Sequence, residues 1–330
     1  MFKDKKKKFS WRMFVIFIVF EVVFTGLSAT LFVFYGPFDN LKRLVVGTAM
    51  SSYSHQYIAK IFLSEKKIES IINPNAEKIK TADPQAISDV VVTKKADNSV
   101  DRFEIDGGKY KGYVIIVSDP TRIKVGYSKH IGKVGQTTSE IAKENGAVAA
   151  INGGGFIDTS TSGKLWVGTG EAPTGVVISG GKIIYNDPGA ERQQSIMGFT
   201  KEGKLILGKY TATELLKLGV NEALSFGPGL IVNGKNQVQG DGGQGITART
   251  AIGQRKNGEV ILLVLDGRRL NMPGATLKDV QNVMEKYDAY NAINLDGGSS
   301  TTMYYDGDII NNPCNPLGER SIATAVYVNP

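Results

Sequence analysis

The stretch NAINLDGGSSTTMYY, residues 291–305, joins a strand signal to a polar, glycine-rich turn. Its apolar residues as far as Leu295 predict a buried strand. Asp296 follows where that strand ends, and Gly297 and Gly298 would let the backbone approach a ligand closely. The stretch therefore predicts a binding or catalytic turn. The plainer alternative is a tight turn in which Asp296 caps local N–H groups.

The composition is that of a folded protein with a sizeable core. Of the 330 residues, 42% are hydrophobic and 39 are glycine. The formal net charge is +7, but residues 1–12 hold six basic side chains and one acidic side chain, which account for +5 of it. The remaining charge is too thinly spread for a nucleic-acid-binding surface, so we expect no nucleic-acid partner.

An N-terminal membrane anchor is predicted at residues 13–35, which are almost continuously apolar with Glu21 as the only charge. The segment is longer than the ~20 residues that cross a bilayer. The positive-inside rule makes residues 1–12 a cytoplasmic basic tail and places the remainder outside. A long cleaved signal peptide is the alternative. Glu21 would need a partner helix, snorkelling or protonation.

The cysteine content bears on the compartment. Cys314 is the only cysteine, so an intrachain disulfide is excluded. An outward-facing domain without disulfides is more typical of a single-membrane bacterial surface than of a eukaryotic lumen. We therefore predict a single-pass protein of the cell membrane with an extracellular C-terminal domain.

A helical stalk and linker is predicted at residues 36–101. Apolar residues recur at the helical period until Asn73-Pro74 ends the pattern, and residues 76–101 are polar. The globular domain is expected over residues 102–330.

Within this domain, hairpins alternate with helices. Apolar runs with a central turn dipeptide predict hairpins at residues 176–185, 230–238 and 303–310. Helices are predicted at residues 138–145, 211–218 and 275–288, each ahead of a strand and a Gly-rich loop. The predicted class is α+β, a many-stranded and mostly antiparallel sheet system with a few packed helices and loops that meet on one rim. The pattern is either a true internal repeat or the likeness that hairpins share.

The positions of the two histidines exclude some kinds of catalytic site. His55 falls in the stalk and His130 in a loop, so neither suits a Ser-His-Asp triad or a histidine-rich zinc site. Cys314 has no evident base to activate it as a nucleophile. The GxxxxGK[ST] phosphate-binding motif does not occur.

Carboxylates and arginine remain as candidate catalytic groups. Asp266 ends the apolar run VILLVL, Asp296 ends the strand of the opening stretch, and Arg249 opens another strand. Two carboxylates can act as acid, base or nucleophile at an anomeric carbon, and a guanidinium can hold a phosphodiester. Together they fit hydrolysis of a sugar–phosphate linkage. Taken singly, Asp266 fits a hairpin turn and Arg249 a surface ion pair equally well.

With these residues in view, the chain resembles the phosphodiester glycosidase family over residues 102–330. The matching segments are AAINGGGF, RTAIG, VLDGR, GATLKDVQNVMEKYDAYNAINLDGGSSTTM and NNPCNPLGERSIATAVYV. The resemblance implies release of an α-linked N-acetylated sugar from a sugar 1-phosphodiester. We expect catalysis by Asp296, Asp266 and Arg249. The expected substrate-binding residues are Asn152, Gly153, Gly154, Arg268, Gly297, Gly298, Ser300, Thr302 and Arg320.

Two departures from the family pattern concern substrate identity. The family often has an aromatic residue two positions after the second glycine of NGG, whereas here Gly155 precedes the single Phe156. Pro273 replaces the usual serine ahead of the last helix. The stalk segment GTAMSSYSHQYIAKIFLS resembles membrane-anchored bacterial members associated with exopolysaccharide. The expected partner is therefore a cell-surface glycan or sugar-phosphate polymer, such as a teichoic-acid-like or capsular polymer.

Two other functions compete with this hypothesis. One is a non-catalytic module that binds an anionic glycan and organises wall or exopolysaccharide assembly. The other is a metal-dependent phosphodiesterase in which Asp266 and Asp296 bind Ca²⁺ or Mg²⁺ through oxygen ligands. The glycosidase hypothesis requires no metal ligands and no cofactor.

Overall fold

A computed structural model describes residues 10–50, 56–72, 88–92, 97–157, 169–187, 192–269, 271–315 and 317–330 of the chain. His55 and the predicted helix stop at Asn73-Pro74 lie outside the described residues. The N-terminal elements are helices: α1 (Trp11–Tyr35), α2 (Asp39–Met50), α3 (Tyr57–Lys60) and α4 (Glu65–Ile72). The stalk prediction thus holds for three short helices rather than one continuous helix.

α1 is a long helix whose surface is apolar on every side. It has 25 residues, and its side chains are exposed along most of its length. Such a helix has the length and composition of a membrane span or of a signal sequence. Its last turn is covered, because Phe34 packs in one buried cluster with residues of the following helices, Val46, Ala49, Ala59, Leu63 and Ile68.

The rest of the chain is built mainly of strands. They are β1 (Val100–Asp106), β2 (Lys111–Val117), β3 (Ile123–Tyr127), β4 (Ala149–Asn152), β5 (Phe156–Ile157), β6 (Ala172–Pro173), β7 (Val176–Ser179), β8 (Lys182–Asn186), β9 (Gln194–Thr200), β10 (Leu205–Tyr210), β11 (Val220–Ser225), β12 (Gly229–Val232), β13 (Lys235–Asn236), β14 (Arg249–Arg255), β15 (Val260–Leu265), β16 (Ala289–Leu295), β17 (Met303–Tyr305), β18 (Asp308–Ile309) and β19 (Thr324–Val328). Three helices lie between them: α5 (Thr138–Glu144), α6 (Ala212–Lys217) and α7 (Leu277–Lys286).

The described strands form three large sheets and one small one. A seven-stranded sheet has the order β1-β2-β15-β14-β16-β12-β13, and two five-stranded sheets have the orders β10-β9-β11-β7-β8 and β18-β17-β4-β19-β3. Every pairing described between strands, such as β14 with β15 and with β16, is antiparallel. The predicted α+β class, with mostly antiparallel sheets and a few helices, is confirmed.

The three large sheets share one core. Ile151 of β4, Leu224 of β11 and Ile293 of β16 belong to the same buried cluster, so the inner faces of the sheets pack on one another. A helix covers each outer face. On the seven-stranded sheet, Val280 and Met284 of α7 pack against the strands. Because core lies on one side and helix on the other, β15 is buried at all six positions, which explains its unbroken apolar sequence.

The internal repeat is visible in how the helices begin. A threonine caps each of α5, α6 and α7, and an acidic residue three positions later completes a capping box in every case; the threonines are Thr137, Thr211 and Thr276. Each helix leads into an interior strand of its sheet, β4, β11 or β16. The three predicted helices are therefore confirmed, and each belongs to an equivalent helix–strand unit.

The folded domain extends further towards the N-terminus than residue 102. β1 starts at Val100, and Val90 is completely buried. Val91 N–H donates to the carbonyl of Lys256 at 3.3 Å. Residues 88–92 thus pack on the domain, whereas the sequence placed them in the linker.

Candidate active site

The register of the seven-stranded sheet brings three of the predicted residues to one edge. Leu265, the last residue of β15, lies opposite Arg249, the first residue of β14. Leu295, the last residue of β16, lies opposite Thr250. Asp266 and Asp296 therefore leave the sheet on either side of the start of β14. Because neighbouring strands lie about 4.8 Å apart, the two backbones are roughly 10 Å apart at this edge.

Asp296 is held through its backbone by the end of β4. Its N–H donates to the carbonyl of Gly153 at 3.2 Å, and its own carbonyl accepts from Asn152 Nδ2 at 2.6 Å. Its carboxylate Oδ1 accepts from the N–H of Gly297 at 3.0 Å. An added Cβ at Gly297 would lie 2.7 Å from the carbonyl of Ala248, so this close approach requires glycine.

The environment of Asp296 shifts its ionisation. Burial raises its pKa to about 6, while the nearby hydroxyl of Ser300, the hydrogen bond from the N–H of Gly297 and the positive charge of Arg268 act in the opposite direction. A carboxyl group with such a pKa changes charge close to neutral pH, which suits a catalytic acid or base.

Asn152 joins two sheets at this point. Its Oδ1 accepts from Thr250 Oγ1 at 2.7 Å and from the N–H of Thr302 at 3.2 Å. Asn152 is fully buried, so its amide acts as a brace between the ends of β4, β14 and β16. Ser300 and Thr302 are buried beside it, and Thr302 Oγ1 has no hydrogen-bond partner among the described residues.

The sheet that contains β11 also reaches the ends of β4 and β16. An added Cβ at Gly154 would lie 2.7 Å from the carbonyl of Ser225, the last residue of β11. Gly154 N–H donates to Thr324 Oγ1 at 3.1 Å. The ends of β4, β11 and β16 thus meet around Gly153 and Gly154. The Gly-rich loops converge there, as the sequence predicted.

Asp266 lies deeper and has a different set of partners. Its carboxylate accepts from Asn311 Nδ2 at 2.8 Å and from the N–H of Asn312 at 3.0 Å. Burial raises its pKa, against the effect of these hydrogen bonds and of the charge of Arg269. Asp266 also lines a cleft of about 510 Å³ together with Glu104 and Tyr113, and Asp296 is not among the residues that line this cleft. Asn311 Nδ2 donates in addition to the carbonyl of Thr301 at 3.2 Å, which links Asp266 to the turn after Asp296.

Arg249 lies at the shared edge, but its guanidinium is directed at the protein itself. It is 3% exposed. Its Nε donates to the carbonyl of Ala275 at 3.1 Å, and one Nη donates to the carbonyls of Gln244 and Gly245 at 3.1 and 2.8 Å. Burial and the nearby charge of Arg268 lower its pKa to about 10. These contacts favour a role in holding the loop at residues 244–245.

The sequence suggested Arg249 as the guanidinium that holds a phosphodiester, but Arg268 fits that role better. It has a positive φ of 58°, and its Nε donates to Thr247 Oγ1 at 2.8 Å. Its guanidinium packs on Gly298, where an added Cβ would lie 2.6 Å from one Nη. The charge of Arg268 lowers the pKa of Asp296, and the Gly298 that its guanidinium contacts lies two residues after this carboxylate.

Arg320 lies next to the turn that follows Asp296. Its guanidinium lies 4.9 Å from the ring centroid of Phe156, and one Nη donates to Ser299 Oγ at 3.1 Å. Burial lowers its pKa. Phe156 therefore supplies an aromatic face there, two residues after Gly154.

Other site residues had no predicted role. Thr250, Asn311 and Asn312 hold the two aspartates in place, although Asn311 and Asn312 belong to a segment that already resembled the family. Cys314 Sγ lies 3.2 Å from the carbonyl of Gly298, and burial raises its pKa, which disfavours the nucleophilic thiolate. His130 is exposed in a turn. Among the described residues, no group of three or more His, Cys, Asp or Glu side chains is placed to hold a metal ion.

Comparison with known proteins bears on the family of the chain. The phosphodiester glycosidase family profile matches residues 145–329. N-acetylglucosamine-1-phosphodiester alpha-N-acetylglucosaminidase of Bos taurus is 31% identical over 217 residues, which are 58% of this chain and 39% of that protein. The SPbeta prophage-derived protein YomE of Bacillus subtilis is 27% identical over 207 residues, 59% of this chain and 30% of that protein. The chain thus matches less than half of the length of either relative.

A solved structure supports the fold. The catalytic domain of the zebrafish N-acetylglucosamine-1-phosphodiester alpha-N-acetylglucosaminidase, auto-inhibited by its pro-peptide, superposes with a TM-score of 0.60 at 25% identity and covers 74% of this chain and 87% of that one. A Burkholderia pseudomallei exported protein shares the fold with a TM-score of 0.51 at 14% identity, covering 67% of this chain and 74% of that one. By its matching profile and by this likeness, the chain belongs to the phosphodiester glycosidase family.

Proposed function

We propose that this chain is a membrane-anchored hydrolase acting outside the cytoplasm, which releases an α-linked N-acetylated sugar from a sugar 1-phosphodiester. Family membership supports hydrolysis, and the names of the bovine and zebrafish relatives support this linkage. The observation that carries the proposal is the position of the half-buried Asp296 where three strand ends meet, with the guanidinium of Arg268 packed on Gly298 two residues later and with the pKa of Asp296 raised to about 6.

The reaction requires little from a general acid. Water attacks C1 of the sugar, the bond between C1 and the phosphate oxygen breaks, and a free sugar and a phosphate monoester are formed. Because phosphate is a good leaving group, the main demands are a base for the water or a nucleophile, and a cation for the phosphate.

The side chains divide these tasks. Ionised Asp296 acts at C1, and Arg268 neutralises the phosphate. Asp266 is the second carboxylate of the pair. Asn152 and Ser300 position the sugar through the turn that they brace. Arg249 supports the site by holding the loop at residues 244–245, rather than by touching phosphate itself.

The deciding experiment measures free N-acetylglucosamine. The full chain, purified in detergent, is incubated with the methyl phosphodiester of N-acetylglucosamine 1-phosphate and, separately, with UDP-N-acetylglucosamine. We expect release of free sugar from the phosphodiester and a loss of roughly 10³-fold in kcat/KM for Asp296→Asn. The matched control is Asp288→Asn, an exposed aspartate at positive φ, which asparagine also adopts readily.

Two outcomes would overturn the proposal. One is a folded wild-type chain that releases no sugar from either donor. The other is Asp296→Asn turning over as fast as the control. Saturable binding of a cell-surface glycan, unchanged in Asp296→Asn and without turnover, would instead support the non-catalytic glycan-binding module. Loss of turnover with EDTA, together with release of a sugar phosphate, would support the metal-dependent phosphodiesterase.

The natural substrate is proposed to belong to the cell surface. A sugar 1-phosphodiester in a wall or capsular polymer lies on the side of the membrane where the positive-inside rule places the domain.

A further inference from the structure

The helix that follows the membrane anchor touches a loop of the active site. Gly47 of α2 is buried, and an added Cβ there would lie 2.8 Å from the N of Gly245 and 3.1 Å from the carbonyl oxygen of Gly243. In the reverse direction, an added Cβ at Gly245 would clash with the backbone of Gly47 and Thr48. Helix and loop therefore meet backbone to backbone, and the contact requires glycine on both sides.

This loop is the one that Arg249 holds. Arg249 donates to the carbonyls of Gln244 and Gly245, and it begins the strand that lies between the ends of β15 and β16. The guanidinium of Arg249 therefore lies between two features: the loop that contacts α2, and the sheet edge where Asp266 and Asp296 lie.

The same part of α2 also packs on the end of α1. Val46 and Ala49, on either side of Gly47, share a buried cluster with Phe34 in the last turn of α1. The hydroxyl of Tyr35 donates to the carbonyl of Phe62 at 2.6 Å, which fixes this end of α1 to the helices that follow. Since a helix is about 10 Å across, the loop at residues 243–245 lies about one helix diameter from the end of α1.

The length of α1 sets the height of this contact above the bilayer. At 1.5 Å per residue, its 25 residues span about 37 Å, which exceeds the ~30 Å hydrocarbon core. With α1 placed across a bilayer, its last turn reaches the level of the lipid head groups. Large apolar side chains in and next to the helices that follow α1 are also exposed: Phe38, just before α2, by 52%, Tyr57 of α3 by 55% and Ile61, just after α3, by 68%. Aromatic residues are enriched at this depth.

We propose that the site acts at the membrane surface, on a sugar 1-phosphodiester whose second ester oxygen carries a membrane lipid. The inference rests on the proposed function and adds its substrate class. A lipid of this kind holds its phosphodiester at head-group level, where α2 holds the loop of the site. Water adds at C1, the bond from C1 to the phosphate oxygen breaks, and the products are free sugar and a lipid phosphate monoester that stays in the bilayer.

The test compares two substrates on one enzyme. The full chain is placed in nanodiscs that contain polyisoprenyl N-acetylglucosaminyl phosphate, and the soluble methyl phosphodiester is assayed in parallel. Because sharing a bilayer raises the effective concentration, we expect kcat/KM for the lipid substrate to exceed that for the methyl ester by about tenfold or more.

Gly47→Leu is the diagnostic variant. It forces α2 away from the loop and is expected to abolish the lipid preference, while methyl-ester turnover stays within a factor of about three, since the catalytic groups are untouched. The matched control is Gly26→Leu in α1, where an added Cβ meets nothing within 4 Å. Tyr57→Ser, which changes only an exposed side chain of α3, should weaken the same preference if Gly47→Leu proves too unstable to purify.

The outcomes separate the two proposals. Release of sugar from neither substrate would overturn the proposed function. Cleavage of the methyl ester without cleavage of the lipid substrate, or equal kcat/KM for both, would leave the function intact and overturn the membrane-surface inference. Identical lipid preference in Gly47→Leu, Tyr57→Ser and Gly26→Leu would overturn it as well.

Discussion

Asp296 ionises less readily in the folded protein than in the unfolded chain, because burial raises its pKa from 3.8 to about 6. Between these two values the folded state binds more protons than the unfolded state. The free energy of unfolding therefore falls as pH rises through this window and stays lowered above it, by about 3 kcal/mol. The charged form of Asp296, which the proposed mechanism requires, is thus the form that destabilises the folded state.

Asp296→Asn should for this reason stabilise the protein while inactivating it. At pH 7 we expect a gain of up to about 3 kcal/mol over the wild type, and at pH 4, where the wild-type carboxyl is protonated, a gain close to zero. Thermal unfolding of the full chain in detergent, followed by circular dichroism at both pH values, measures the difference. A variant less stable than the wild type at pH 7 would contradict the burial-driven shift.

Gly298→Ala should separate activity from stability. The new Cβ would meet the guanidinium of Arg268, a flexible side chain that can move aside, so the charge that we propose binds phosphate is displaced while the fold persists. We expect a loss of roughly 10²-fold in kcat/KM. The control is Gly146→Ala, whose φ of 61° matches the 62° of Gly298 but whose added Cβ meets nothing. Equal activity of the two variants would remove Arg268 from the proposed mechanism.

Single residues were predictable in position more than in role. Asp266, Asp296 and Arg249 sit at strand ends that the apolar runs already marked. The contacts of Arg249 could not be predicted, because they are made to the backbone carbonyls of Gln244, Gly245 and Ala275, and a carbonyl has no sequence signature.

At the scale of elements, the strand order determines how far apart the two carboxylates start. β15 and β16 are not neighbours; β14 lies between them, so Asp266 and Asp296 leave the sheet two strand spacings apart. Inverting glycosidases place their carboxyl groups roughly 6.5–9.5 Å apart to leave room for water, whereas retaining enzymes keep them about 5 Å apart. The topology favours the wider arrangement.

We therefore expect inversion at C1. An α-linked donor should give β-N-acetylglucosamine as the first product, which proton NMR of the anomeric signals detects before mutarotation equilibrates them. Spontaneous mutarotation of the pure α-sugar under the same conditions is the control. A first product with α configuration would contradict two carboxylates acting across an intervening water.

The helices were predictable because their signals are local. The predicted segment at residues 138–145 becomes α5 (Thr138–Glu144), and capping threonines followed by acidic residues mark all three starts. The division of the strands into three sheets has no such local signal. Hairpin runs predict strands, but the choice of β4, β11 and β16 as interior strands depends on packing between distant segments.

At the scale of the whole molecule, the chain combines an apolar helix with a domain that has its own core. We expect it to stay with membranes after alkaline carbonate extraction. Protease added to intact cells should digest the domain while the basic N-terminal tail stays protected. A variant with Lys5, Lys6 and Lys7 changed to Glu serves as the control for orientation, because it should insert with mixed topology. A mature form found in the medium and beginning after residue 35 would show that the helix is a cleaved signal.

At this scale, the sequence did not predict that the segment between α1 and the domain packs on the domain. Its polar composition predicted a linker up to residue 101, yet Val90 is buried and Asn291 Nδ2 donates to Ser88 Oγ at 2.8 Å. A short segment that docks through one apolar side chain and a few hydrogen bonds has no periodicity from which docking could be predicted.

Three strand ends of similar construction meet around Gly153 and Gly154. The residues at these ends are Asn152, Ser225 and Asp296. Only one of them is acidic. Exchanging Asn152 would also disturb Asp296, whose carbonyl accepts from Asn152 Nδ2. Ser225 instead accepts from the N–H of Val176 within its own sheet and, among the described residues, has no contact of this kind with Asp296. Of the two neutral strand ends, the one at Ser225 is therefore where a substitution could alter the surroundings of the proposed site while the hydrogen bonds to Asp296 stay in place.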